Sequence, residues 1–332
     1  RTALDLEERI AAVRALAATG AIDTSPACLA IVQAGPTQPA ALTRVAAAAV
    51  VALDSPRTLE PLTQGWLASK DPRAIDAALA VLAETPMATS VRAVRGLTED
   101  RASGVRAAAC TALAPSAGLG AGAWSAINSA AEDRDATVRA ACLAAIARAN
   151  GDPPRSTYGR ALAALEDRDE RVRAAAALAI ARVAPAKAAR DLRPHLRDRS
   201  PLVRAAVARA WANLDGAMAA LAPAITDDDP TVRAAAIQTL AARPDGAAAI
   251  ATAAGDRDPR VRAEAAAALT DDAALARLVG DDDPMVRTAA VVRTAARAGR
   301  ERAQADLAAA LATAPAASLE RVRLARAWLL AP

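Results

Sequence analysis

Clustered carboxylates are the first chemistry this sequence offers. Three aspartates stand together at 227–229, within "ITDDDPTVRAAAIQTLA", and three more at 281–283. Such a cluster could hold a divalent cation, supply an acid–base pair, or mark the start of a helix. A calcium site needs about six to eight oxygens, usually with a loop glycine and a distal bidentate carboxylate, and neither cluster brings that set. The middle residue, Asp228 or Asp282, is replaced in equivalent stretches by Arg134, Arg168, Arg199 or Arg257. Helix starts favour aspartate both as a cap and as a charge facing the dipole, which explains the clusters without a ligand. The single histidine, His195, follows Pro194 and has no second histidine with which to build a two-histidine metal site. Its expected place is a half-exposed helix surface. The sequence shows no glycine-rich phosphate loop, no G-x-S-x-G elbow and no Cys–His couple. The expectation is a protein without catalytic residues, metal or cofactor.

Cys28, Cys110 and Cys142 are too few and too scattered for a disulfide framework or a zinc site. Cys110 and Cys142 fall on successive helices of one kind and could approach each other, but small buried thiols are ordinary core residues. The expectation for both is a core thiol.

The chain has 332 residues and is 54% hydrophobic, yet it holds only four Trp, one Tyr and no Phe. Alanine and aliphatic side chains must therefore build the core. Alanine is the best helix former, and the β-branched and aromatic enrichment of strands is missing, so the class is all-α. The net charge is +4, and only Lys70 and Lys187 of the 41 basic residues are lysines. No block of like charge resembles a nucleic-acid-binding tail. No apolar run reaches the ~20 residues of a membrane span, and no signal peptide opens the sequence. A cytoplasmic location is expected, although a start at Arg1 is compatible with a processed or trimmed N-terminus.

A repeat positions these residues. Val-Arg recurs at 105–106, 138–139, 172–173, 203–204, 232–233, 261–262 and 286–287, with the valines between 25 (261 to 286) and 34 (138 to 172) residues apart. Each arginine has an aspartate six residues earlier: Asp100 before Arg106, Asp133 before Arg139, Asp167 before Arg173, Asp198 before Arg204, Asp227 before Arg233, Asp256 before Arg262, and Asp281 before Arg287. A period of this size indicates a solenoid. Each unit reads as two helices. In "RDPRVRAEAAAAL" (257–269) Asp258 is the N-cap and Pro259 the first helical residue, and "DDAALARLVG" (271–280) gives a short helix ended by Gly280. Pro194 and Pro223 fall inside helices of the short, first kind and should kink them.

The D-x-D-P-x-V-R pattern, seen as "DRDPRVR", "DDDPTVR" and "DDDPMVR", resembles the HEAT-repeat family, including the HEAT-like repeats of phycobilisome lyases. The resemblance implies an α-solenoid, a superhelix of stacked antiparallel helix pairs, here about ten units. It also implies that the second helix of each pair lines the concave face, and that the seven aspartates and seven arginines named above form a ladder between neighbouring units. The missing histidine pairs separate the chain from di-iron hydroxylases built on the same repeat. The ends depart from the pattern, with Ser69 and Ile75 in the ladder slots of one stretch and Ala317 replacing the aspartate before Val322-Arg323. Atypical terminal units are what a solenoid needs, since its end faces meet water. One solenoid over 1–332 is expected, with degenerate units in 1–99, regular units in 100–297 and a capping unit in 298–332.

Arg148, Arg182, Arg243, Arg293 and Arg297 recur near the ends of second helices. Positive charge there is stabilised by the helix dipole, by ~0.3–1 kcal/mol each, but a stacked row could also bind phosphate or an acidic partner. With Trp328 near the chain's end, they are the candidate partner-binding residues. The favoured function is a scaffold for a protein or peptide. A nucleic-acid-binding protein using the arginine edge is the alternative, and a lyase-like or chaperone subunit acting on a partner protein is the weaker third.

Overall fold

A computed structural model describes residues 6–18, 20–69, 71–119, 122–298, 300–315 and 319–329. It is all-helical among those residues, and it divides into two compact units, 20–188 and 1–19 with 189–332.

In the 20–188 unit, α2 (Ser25–Gln33), α4 (Glu60–Leu67), α6 (Val91–Leu97), α8 (Ala123–Ala130) and α10 (Arg155–Ala164) are first helices. Their seconds are α3 (Ala40–Leu53), α5 (Pro72–Leu82), α7 (Ser103–Leu113), α9 (Ala136–Arg148) and α11 (Glu170–Val183). Each second helix packs on the next, α3 on α5, α5 on α7, α7 on α9 and α9 on α11, while α4, α6, α8 and α10 cover them. α12 (Pro185–Leu192) falls across the boundary.

The other unit repeats the plan with second helices α13 (Pro201–Ala210), α15 (Pro230–Leu240), α17 (Pro259–Ala268), α19 (Pro284–Arg297) and α21 (Leu319–Leu329). Its first helices are α14 (Ala217–Ile225), α16 (Ala247–Ala253), α18 (Asp272–Val279) and α20 (Arg300–Thr313). α1 (Leu6–Ala18) packs against α21 and buries Ile10 and Val13. A stack's last helix would otherwise show its outer face to water, and α1 covers part of it.

The starts of second helices follow from their sequence. Asp135, Asp169, Asp229, Asp258 and Asp283 each stand in extended backbone and accept from the N–H two residues on, satisfying one of the helix's unpaired donors. The core is alanine with a scatter of larger aliphatics: Leu113, Ile127, Leu143, Ile146, Ile180 and Leu221 are wholly buried, as are Ala176, Ala177 and Ala236. Small side chains let neighbouring second helices approach closely.

Two details differ from expectation. Cys110 and Cys142 are joined in a disulfide between α7 and α9, which corrects the reading of both as thiols. They lie 32 residues apart, close to the 33 between Val105 and Val138, so stacking brings them face to face. Pro194 does not sit in a kinked α-helix: α12 ends at Leu192 and the chain runs on as a 3-10 turn, Arg193–Arg197, carrying half-buried His195. Proline's missing N–H and ring clash end the α-helical ladder there. Pro223 does lie within α14. Where successive units meet after α7 and α9, Gly151 (φ +75°) and Gly118 touch backbone to backbone, leaving no room for a Cβ on Gly151. Ala317, the residue in the missing ladder slot, lies outside the described residues.

Candidate interaction surface

The seven Asp–Arg positions have one local geometry. In each D-x-D turn the first aspartate's carboxylate accepts the N–H two residues ahead, as Asp227 does from Asp229 at 2.9 Å. The arginine one turn into the helix folds back on the same loop. Arg233 Nη1 donates to the carbonyls of Asp227 and Asp228, at 2.8 and 3.1 Å. That fixes the guanidinium plane and aims its other edge at the next unit. There Nε and Nη2 meet the two oxygens of Asp256 at 2.8 and 2.7 Å. The same two-pronged contact joins Arg106 to Asp133, Arg139 to Asp167, Arg204 to Asp227 and Arg262 to Asp281. Planar fork-to-carboxylate pairing of this kind is the strong form of an ion pair.

These groups are largely withdrawn from water: the Arg233 and Asp256 side chains are 7% and 14% exposed. The arginine's hydrogen bond holds the carboxyls of Asp133, Asp256 and Asp281 below the usual range, against burial, which acts the other way. For Asp167 and Asp227 the upward pull of burial is the largest influence, and the arginine and backbone donors together still lower the carboxyl.

Asp100 and Arg287 are the ladder's first and last members, and they, like Arg173 and Asp198 between them, keep the local contacts. Asp100 accepts Ala102 N–H at 2.8 Å, and Ile75 holds the arginine slot before it. Arg173 donates to the carbonyls of Asp167 and Arg168, and Asp198 accepts Ser200 N–H. Arg287 donates through Nη1 to the carbonyls of Asp281 and Asp282, both at 2.8 Å.

The edge arginines have a role that spacing did not reveal. Arg182 Nη2 donates to the carbonyls of Ala149 and Gly151, at 3.3 and 3.0 Å. Arg243 Nη1 reaches Leu214 O at 3.3 Å, and Arg293 Nε reaches Leu269 O at 2.9 Å. In each case the acceptor lies at the C-terminal end of the preceding second helix or just past it, where carbonyls lack helical partners. The cation therefore serves the neighbouring helix end rather than its own. Arg297 pairs with Asp272 at 2.8 Å. Arg148 is exposed, and Trp328 is 38% exposed.

A pocket the sequence did not indicate opens between α17, α19 and α21. It has a volume of about 650 Å³. Ala263, Ala267, Ala289, Val292 and Ala296 give it a shallow apolar wall, and Glu264, Arg293 and Arg323 are its charged members. Burial pushes the Glu264 carboxyl up, and the charge of Arg209 offsets this only in part. The signal was present in the repeat: Glu264 stands where other units place Ala108, Ala141, Ala175, Ala206 or Ala235. Among the described residues, no three His, Cys, Asp or Glu side chains come close enough together to hold a metal ion, and no helix is long and apolar enough to cross a membrane.

Fork-paired repeats of stacked antiparallel helices define an all-α, HEAT-like solenoid. The HEAT-repeat family model matches residues 124–212, 159–241 and 218–271 in overlapping copies, so the stretch from 124 to 271 is built of HEAT repeats. No curated protein matches the chain. Solved structures similar to it include YibA of Escherichia coli, at 16% identity and TM-score 0.48, covering 82% of this chain and 96% of that one. The CpcE–CpcF complex of phycocyanin lyase from a Nostoc species matches at 18% identity and TM-score 0.43, over 72% of this chain and 93% of that one. Human deoxyhypusine hydroxylase matches at 21% identity and TM-score 0.34, over 78% and 98%.

Proposed function

We propose that the protein is a non-catalytic scaffold that binds a segment of a protein partner on the α17–α19–α21 face. The pocket there carries this reading, because concave apolar walls with a few placed charges are the usual form of a binding site. Its occupant is an apolar side chain from the partner, with a neighbouring carboxylate for the exposed Arg323. The rival reading, nucleic acid along the arginine edge, has less to draw on: Arg182, Arg243 and Arg293 spend donors on backbone carbonyls, whereas phosphate binding needs cations turned outward.

The test replaces Ala289, a half-buried wall residue, with Trp to fill the pocket. Proteins retained from native cell extract by the wild type, and lost by Ala289→Trp at unchanged melting temperature, support the proposal. Equal retention by both proteins refutes it, and salt-sensitive retention of DNA instead would favour the rival.

A further inference from the structure

Arg287 is a ladder arginine at the point where the ladder stops. Its Nη1 makes the same two carbonyl contacts as Arg106, Arg139, Arg204, Arg233 and Arg262, so its guanidinium is held in the same attitude. In those five residues Nε and Nη2 grip a carboxylate at 2.7–2.9 Å. At Arg287 no carboxylate among the described residues occupies the fork. Arg287 lines a second pocket, of about 460 Å³, on the α18–α19–α20–α21 side. Its walls include the aliphatic Val279, Val291, Ala310 and Leu324, and its other charged members are Asp306 and Glu320.

We propose that this pocket binds a free α-amino acid with an aliphatic side chain. The carboxylate takes the fork that an aspartate fills in the other units, where planar two-point pairing is strongest. Once a ligand carboxylate takes the fork of Arg287, the lining residues hold no further cation to balance Glu320, so a simple carboxylic acid would meet repulsion. An ammonium group beside the carboxylate removes it by pairing with Glu320. Asp306 is already drawn toward Arg302 at 3.5 Å, which leaves Glu320 as the amine's partner. The aliphatic side chain then packs on Val279, Val291 and Leu324. The volume falls within the roughly 300–1,000 Å³ common for small-ligand pockets.

Calorimetric titration with L-leucine, L-leucinamide and N-acetyl-L-leucine tests the proposal on the full chain. Leucine binds, and masking either end weakens binding about tenfold or more. Arg287→Met abolishes the preference for leucine over leucinamide, and Glu320→Gln abolishes the preference for leucine over N-acetyl-leucine. Should Arg287→Met fail to fold, the three ligands on the wild type and the Glu320→Gln variant still decide. No heat with leucine up to about 10 mM, or leucinamide binding as well as leucine, overturns the proposal. Thr288 borders both pockets but Ala289 lines only the first, and leucine binding is scored on the wild type and on the Arg287 and Glu320 variants, so its outcome is read independently of the Ala289→Trp result.

Discussion

Reducing the Cys110–Cys142 bond should destabilise the 20–188 unit by an amount set by the loop it closes. The sequence separation is 32 residues. In the chain-entropy picture, closing a loop of about that length removes ~12 cal/mol/K from the unfolded chain, or roughly 3.7 kcal/mol at 25 °C. For a unit of this size, 1 kcal/mol is worth ~2–4 °C in melting temperature, so reduction should cost roughly 7–15 °C. The loss should be concentrated in α7 to α9, because a repeat array unfolds in neighbouring units rather than as a single block. Both cysteines are fully buried, so reductant must reach them through local opening, and the protein has to be incubated warm before the scan.

Calorimetry with and without a phosphine reductant measures the shift, with Cys110→Ala/Cys142→Ala as the control that should not respond. Alkylation of denatured, unreduced protein provides an independent check. Cys28 is the free cysteine, so one label per chain is expected. Three labels, or an unchanged melting temperature once reduction is complete, would show that the pair is not a staple. A bond of this kind persists in oxidising compartments and is rare in reducing ones, so the labelling result from native material also bears on where the protein resides.

Arg233→Ala should cost ~3–5 kcal/mol, since it strands the buried carboxylate of Asp256, while Arg260→Ala should cost under ~1 kcal/mol because that arginine is 53% exposed and pairs with its own cap, Asp258; equal denaturation midpoints would remove the ladder from the stability account. Stability should fall with acid. Asp133, Asp256 and Asp281 are depressed chiefly by their arginines, and Asp169 sits at about 2 through its bond from Arg171. Folded carboxylates of this sort bind fewer protons than unfolded ones, so their contribution is complete above the ordinary value near ~4 and disappears as pH drops through the folded values; a melting temperature level from pH 5 to 2 contradicts this. Ala236→Leu places a larger side chain at a wholly buried site and should cost ~1–3 kcal/mol by overpacking, read as a lower chemical denaturation midpoint; no change would mean the neighbouring helices have slack.

What could be read from the sequence was local and repeated. Asp229 and Asp258 as caps, and the six-residue step from Asp227 to Arg233, are matters of one turn and one loop, which the chain writes out again in every unit. What could not be read depended on how unequal units stack. The partner of Arg182 is a carbonyl at Ala149, one unit back, and no periodicity names a carbonyl. The cysteines stand 32 residues apart where their valines stand 33 apart, so whether they meet depends on the register of two helices. Glu264 looks like a stray substitution in an alanine row until α19 and α21 close a pocket over it. Arg287 makes the point most sharply. It has the same motif and the same backbone anchors as Arg262, yet Arg262 meets Asp281 while Arg287 faces a pocket. An identical side chain is a joint in one unit and a socket in another because a ladder of directional contacts must have an end, and at that end the stored geometry still presents its donors.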